Sequence, residues 1–163
     1  VDGERQILLT TAGNLATNQA VVGILRERTK EHEKSSPSIL EASTMFQVAR
    51  IVSETLAEVI KTSARGQQKA ESNFTSTFIL GGQIKGDIPR LYLIYPEGNF
   101  IEVSEENPFF QIGETKYGRP ILVRAFERDM TFEDAIKLLM VSFDSTMKAN
   151  LSVGPPLDIK IEI

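Results

Sequence analysis

The chain has no cysteine among its 163 residues. That absence excludes a disulfide framework, a thiolate metal site and a cysteine nucleophile. Histidine is nearly absent too: His32 is the single one, in the polar run from Arg28 to Ser36. There it reads as part of a solvated helix end, not as a catalytic base or a metal ligand. No apolar run approaches the roughly 20 residues that cross a bilayer, and no secretory leader is expected before the domain. Blocks of like charge are also missing, since 18 basic and 22 acidic residues give a net charge of −4 and are dispersed. Nucleic acid and anionic membrane both call for clustered Lys and Arg, so neither is an expected partner. A reducing, cytoplasmic setting is the default for such a chain. The sequence starts at Val1, without methionine, so a processed or truncated start is expected.

What is present suits one globular domain. The apolar fraction of 41% and charged fraction of 25% are ordinary, and the length is enough to bury a continuous core. Gln6 to Thr10 is a short apolar run that predicts a strand. From Asn14, a plausible cap, a helix is predicted to about Lys34, with Leu15, Val21, Val22 and Leu25 on its apolar side. Ser35-Ser36-Pro37-Ser38 ends it. A second helix follows, its stripe made by Met45, Ala49, Val52, Leu56 and Val59 and widened by Val48 and Ile51. The polar stretch from Ser63 to Asn73 closes that pair.

The period then changes from helical to strand-like. Phe74 to Leu80 alternates before the glycines Gly81 and Gly82. Leu91 to Tyr95 and Phe100 to Val103 predict two further strands joined by Pro96-Glu97-Gly98-Asn99, an antiparallel meander. A short helix is predicted from Lys116 to Phe126 with Pro120 in its first turn. Thr131 caps a strong helix, with Asp134 at the capping-box position and Phe132, Ala135, Ile136, Leu139, Met140 and Phe143 on one face. Leu157 to Ile163 alternates again and predicts a final strand. Paired helices around hairpin-joined strands imply an α+β fold, helices layered on antiparallel sheet.

No single motif settles the chemistry. Thr10-Thr11-Ala12-Gly13-Asn14 runs from strand to helix, where free N–H groups can stabilise an oxyanion; an ordinary capped turn fits as well. Gly81 to Gly86 lacks the Gly-Lys-Ser/Thr ending of a phosphate loop and reads as a hairpin loop. Asp144-Ser145 has no histidine beside it, and a triad would have to recruit His32. Asn150 and Ser152 follow the last helix and suit either a nucleophile's supporting shell or simple C-caps. Glu114 and Asp134 make no spaced carboxylate pair for glycosidase chemistry.

The combination is more specific. TTAGNLATNQAVV (10–22), FQVAR (46–50), FILGGQIKGDIPRLYLIYPEGNFIE (78–102), FQIGETKYGRPIL (110–122) and SFDSTMKANLSVGPP (142–156) together resemble the Anbu family. These are bacterial relatives of proteasome β-subunits and of the HslV protease. The resemblance implies an αββα four-layer sandwich of the N-terminal-nucleophile hydrolases. Residues 1–163 would be one proteasome-like domain whose first strands precede the chain.

The resemblance also implies the chemistry. The nucleophile is an N-terminal threonine whose α-amine, titrating at about 8 when unperturbed, takes the hydroxyl proton. That residue, with the lysine and aspartate that tune it, would precede Val1, so the chain alone is expected to be inactive. Gly13 matches the oxyanion-hole glycine, and Thr11 and Ala12 the strand edge that holds substrate backbone. Ser152 matches the serine near the nucleophile's amine, and Asn150 or Ala149 falls where the family has an aspartate. Glu114 occupies the region of another supporting serine, a departure from the proteasome pattern. The implied activity is peptide-bond hydrolysis without metal or cofactor, on peptide or unfolded protein, by a homo-oligomer forming a ring or open helical ring. Competing expectations are a non-catalytic structural subunit and a small-amide hydrolase of the same superfamily.

Overall fold

A computed structural model describes residues 3–30, 36–64 and 74–161. The chain divides into two compact units, Val1–Phe110 and Gln111–Ile163. His32, and the polar stretch beyond residue 64 that was expected to end the second helix, lie outside the described residues.

In the first unit, strand β1 (Arg5–Gly13) leads into helices α1 (Leu15–Arg28) and α2 (Met45–Ser63), followed by β2 (Ser76–Ile84), β3 (Arg90–Ile94) and β4 (Phe100–Glu102). The four strands form one antiparallel sheet in the order β1-β2-β3-β4, so the predicted meander is present and β1 returns to its side. The core lies between one sheet face and the helices. Phe78, Leu80, Tyr92 and Ile94 meet the α2 stripe of Met45, Ala49, Val52, Leu56 and Val59, all buried. Alternation explains the sheet side, because residues directly opposite in the ladder, such as Leu9, Leu80 and Tyr92, share a face. The other face is apolar as well, carrying Leu8, Ile79, Leu91, Leu93 and Ile101. Leu8 and Ile101 there are each 40% exposed.

Several sequence expectations are corrected in this unit. Helix α1 stops at Arg28, where the Thr29 hydroxyl donates to the Arg26 carbonyl at 2.7 Å, short of the expected end near Lys34. Leu15 is exposed, not part of the apolar side; Thr17 is buried instead, its hydroxyl donating to the Phe74 carbonyl at 2.9 Å. A buried threonine with a bonded hydroxyl is tolerated where an exposed first-turn leucine has nothing to pack on. Gly81 and Gly82 lie inside β2, opposite Leu8 and Ile7, and not in a hairpin loop. Gly82 has φ +155°, and a Cβ there would run into the Gln6 carbonyl. The glycine therefore permits close approach of β1, a use of glycine in strands that resembles a turn signal in sequence.

Two arginines tie the helices and loops to this frame. Arg5 donates to the Ile39 and Ala42 carbonyls at 3.2 and 2.9 Å, fixing the loop between α1 and α2 to the start of β1. Arg28 donates to the buried Thr55 hydroxyl at 2.8 Å and joins α1 to α2.

The second unit is a helix pair, α3 (Arg119–Ala125) and α4 (Phe132–Ala149). Pro120 sits in the first turn of α3 as expected, since an N–H there has no intrahelical acceptor to lose. Gly118, the α3 cap, lies so close to α4 that a Cβ would collide with the Ser142 and Thr146 hydroxyls. Ser142 and Thr146 are accordingly buried, whereas Phe132, Leu139, Met140 and Phe143 remain exposed along the stripe predicted for α4. Residues 157–161 alternate in sequence but form no strand, because a ladder needs a neighbouring backbone and none pairs with them among the described residues.

Thr131 caps α4 as expected, but its hydroxyl, not its backbone N–H, meets the Asp134 carboxylate. The Thr131 hydroxyl accepts from the Asp134 N–H at 3.2 Å and donates to its carboxylate at 2.8 Å. That hydroxyl bond, then the Lys137 ammonium, holds the Asp134 carboxyl below its ordinary pKa. Because the folded pKa is the lower one, the contribution to stability is present above the unfolded value and lost as pH falls through the folded one. Thr131→Ala is expected to cost roughly 1 kcal/mol and to flatten the acid limb of stability, measured by thermal melts from neutral to acid pH. For the sheet, Gly82→Ala should destabilise by roughly 1–3 kcal/mol because a carbonyl occupies the space. Gly23→Ala, where a Cβ on α1 meets nothing within 4 Å, should stabilise by about 0.5–1 kcal/mol. Denaturant unfolding of the two variants checks the opposite signs.

Candidate functional site

The residues singled out by sequence fall in both units. Thr11, Ala12 and Gly13 end β1 in the first, while Glu114, Asn150 and Ser152 are in the second.

At the end of β1 the backbone turns sharply into α1. Gly13 takes φ +119°, and a Cβ there would stand 2.5 Å from the Thr75 carbonyl and 2.9 Å from Ser76 Cα. Glycine is thus required by the neighbouring strand, whatever else it does. The corner is held by three further bonds. The Asn14 N–H donates to the Thr75 carbonyl at 3.0 Å, the Ser76 hydroxyl donates to the Asn14 carbonyl at 3.3 Å, and Thr17 reaches Phe74 as above. Asn14 is the α1 cap, its side-chain oxygen accepting from the Thr17 N–H at 3.0 Å. Sequence read this cap correctly. The cap meets one of the first-turn donors; a helix start leaves several without intrahelical acceptors, so the corner keeps an anion-friendly character. Gly13 itself is exposed, and Thr11 and Ala12 are half-buried on β1, an edge strand of the described sheet.

In the second unit, Asn150 ends α4 as its C-cap, the N–H donating to the Thr146 carbonyl at 2.8 Å. Its side chain does more than cap. The amide nitrogen donates to Glu114 Oε2 at 3.0 Å, and the amide oxygen accepts from the Ser152 N–H at 2.9 Å. Glu114 Oε1 accepts from the Lys116 N–H at 2.7 Å. The Lys116 N–H first, and then the Asn150 amide, hold the Glu114 carboxyl below the usual carboxylate range. It is therefore ionised at neutral pH. Sequence treated Glu114 as a carboxylate without a glycosidase partner and as a departure from a family pattern, and the bond to Asn150 spans too many residues to have been seen in spacing. Ala149, the alternative to Asn150, is exposed within the last turn of α4 and brings no polar side chain.

The remaining motifs are structural. Asp144 pairs with Lys148 at 2.8 Å, and the Ser145 hydroxyl donates to the Tyr117 carbonyl at 3.4 Å, so this dipeptide serves the helix pair. Among the described residues no three of His, Cys, Asp and Glu converge as a metal site would require, and no helix is long and apolar enough to cross a membrane.

Comparison with known proteins places this architecture. The family model described as Proteasome subunit matches residues 4–161. Among solved structures, the chain is similar to Anbu (ancestral beta-subunit) from Yersinia bercovieri, with 40% identity and a TM-score of 0.84. It is also similar to Anbu from Hyphomicrobium sp. strain MC1, at 47% identity and TM-score 0.81. A third is the helical assembly of the Anbu complex from Pseudomonas aeruginosa, at 41% identity and TM-score 0.83. Each match covers 94% of this chain and 62% of the relative, so the chain spans less than two thirds of their length. A search of curated proteins gives no match. The helices and the antiparallel sheet are thus those of a proteasome-type α+β fold, and the chain belongs to the proteasome subunit family.

Proposed function

We propose that residues 1–163 form the larger part of one proteasome-like domain in a threonine-type peptidase subunit, in which peptide bonds are cleaved through an acyl-enzyme. The attacking group is an N-terminal threonine that precedes Val1 in the intact protein, and the residues in hand supply its surroundings. The observation that carries this reading is the corner at Gly13. An exposed backbone turn joins an edge strand to a helix start, which is the arrangement that presents N–H donors to a developing oxyanion. It occurs in a chain of the proteasome subunit family.

The assigned roles are those that the family resemblance implies. Gly13 contributes to the oxyanion hole, and Thr11 and Ala12 hold substrate backbone in extended form by strand addition. Ser152 and Asn150 belong to the shell around the nucleophile's amine. The substrate is a peptide or unfolded protein, bound mainly through its main chain in the cytoplasm.

Self-association is part of the same proposal. The helical assembly of the Pseudomonas aeruginosa relative supports an open helical ring of identical subunits. The outward faces of α1 and α2 are the surfaces for it, since their inward faces are spent on the core.

N-terminal sequencing and intact mass of the native protein test the catalytic proposal most directly. A mature N-terminal threonine is expected, with hydrolysis in a peptide panel that stops when that threonine is replaced by alanine. A mature start at Val1 would overturn it. A threonine start with turnover of small amides only would instead assign the site to amide hydrolysis. An assembled protein with some other first residue would be a structural subunit.

A further inference from the structure

One side chain joins the segment before α3 to the segment after α4. The Asn150 amide nitrogen donates to Glu114 Oε2, and its oxygen accepts from the Ser152 N–H, at 3.0 and 2.9 Å. The orientation of that amide is not a free choice. An ionised carboxylate can only accept and a backbone N–H can only donate, so the nitrogen must face Glu114 and the oxygen Ser152. Glu114 is in turn fixed by the Lys116 N–H on its other oxygen, at 2.7 Å, and by Gln111, whose side chain donates to the Glu114 carbonyl at 3.1 Å. The Val153 N–H donates to the Asn150 carbonyl at 3.1 Å and closes the turn that carries Ser152.

We propose that Glu114 is the positioning residue for Ser152, acting through the amide of Asn150. The carboxylate sets the amide, the amide oxygen sets the backbone of Ser152, and the backbone sets where the Ser152 hydroxyl can reach. Charge on Glu114 strengthens both of its bonds, because hydrogen bonds to an ionised acceptor are the stronger kind. Lys116 is the charged group that acts on Glu114, and its ammonium also lies 5.5 Å from the Tyr117 ring centroid. The consequence for turnover rests on the peptidase reading above, whereas the relay itself can be tested without any reaction.

The chemistry offers a reciprocal exchange. In Glu114→Gln, one acceptor oxygen must serve two donors, from Lys116 and Asn150, so one bond is lost. In Asn150→Asp, two carboxylates face each other. In the double variant Glu114→Gln/Asn150→Asp every bond can form again: the new amide donates to the new carboxylate, which still accepts from Ser152. Hydrogen exchange at the Ser152 amide, measured on the intact assembled protein, reads the relay. Each single variant is expected to speed exchange on the order of tenfold, and the double variant to return close to the parent rate.

If neither single variant changes Ser152 exchange, or if the double variant exchanges as fast as the singles, the relay is wrong. Should a single variant fail to fold, Asn150→Ala, which removes the amide that accepts from the Ser152 N–H, takes its place, and exchange at Ser152 as slow as in the parent overturns the relay. In intact protein that hydrolyses peptides, kcat should fall in the single variants and recover in the double, with KM little changed. Exchange that follows the swap while kcat ignores it would overturn the positioning role. Absence of any hydrolysis by the unmodified protein would count against the peptidase reading and leave the exchange result to judge the relay.

Discussion

Antiparallel pairing joins β1 to β2 along the whole of β1, from Arg5 opposite Ile84 to Gly13 opposite Ser76, and the rest of the first unit depends on that register. A slip of one residue would turn Ile7 and Leu9 away from Phe78 and Leu80 and empty the core face. Glycines fix the pairing near both ends. Gly82 lets the Gln6 carbonyl approach, and Gly13 lets the Thr75 carbonyl approach, in space that any side chain would occupy. Arg5 then attaches the loop between the helices to the same strand. The corner that carries the candidate site is therefore the end of a tightly registered ladder, not an independent loop.

The register also braces the corner that carries the candidate site. Asn14, Thr17 and Ser76 form a small net of bonds at 2.9–3.3 Å between β1, α1 and the start of β2. Donors aimed at a reacting atom help only if they do not have to be reorganised during the reaction. In the second unit the corresponding bracing comes from Asn150. A residue that reads as a simple C-cap uses its backbone for that role and its amide for another.

Much of the fold was legible in the sequence. The α2 stripe is a clean helical period in which every predicted residue is buried, and Thr131 with Asp134 is a local capping signal whose partners are three residues apart. Other features were misread because local pattern underdetermines them. Gly81-Gly82 has the composition of a turn, but its neighbour across the sheet needed a strand without side chains. Leu15 looked like core by its place in a helix, yet the first turn of α1 projects it outward. Residues 157–161 alternate like a strand and lack a strand to pair with among the described residues.

For the candidate site the division is similar. Gly13, Asn150 and Ser152 were singled out from sequence, since strand-to-helix and helix-end residues are local and the family resemblance ran through them. Their physical roles were not. That Gly13 must be glycine because of Thr75 was decided by pairing between residues some sixty positions apart. That Glu114 belongs with Asn150 was decided by a contact 36 residues apart in sequence. Sequence by itself determined most of the elements, the caps Asn14 and Thr131 and the helical core stripe, because these rest on periodicity and neighbouring residues, and it indicated the family through the resemblance of whole segments. Only the tertiary structure decided which glycines are structural and which carboxylate meets which amide, because those depend on backbones brought together from distant parts of the chain.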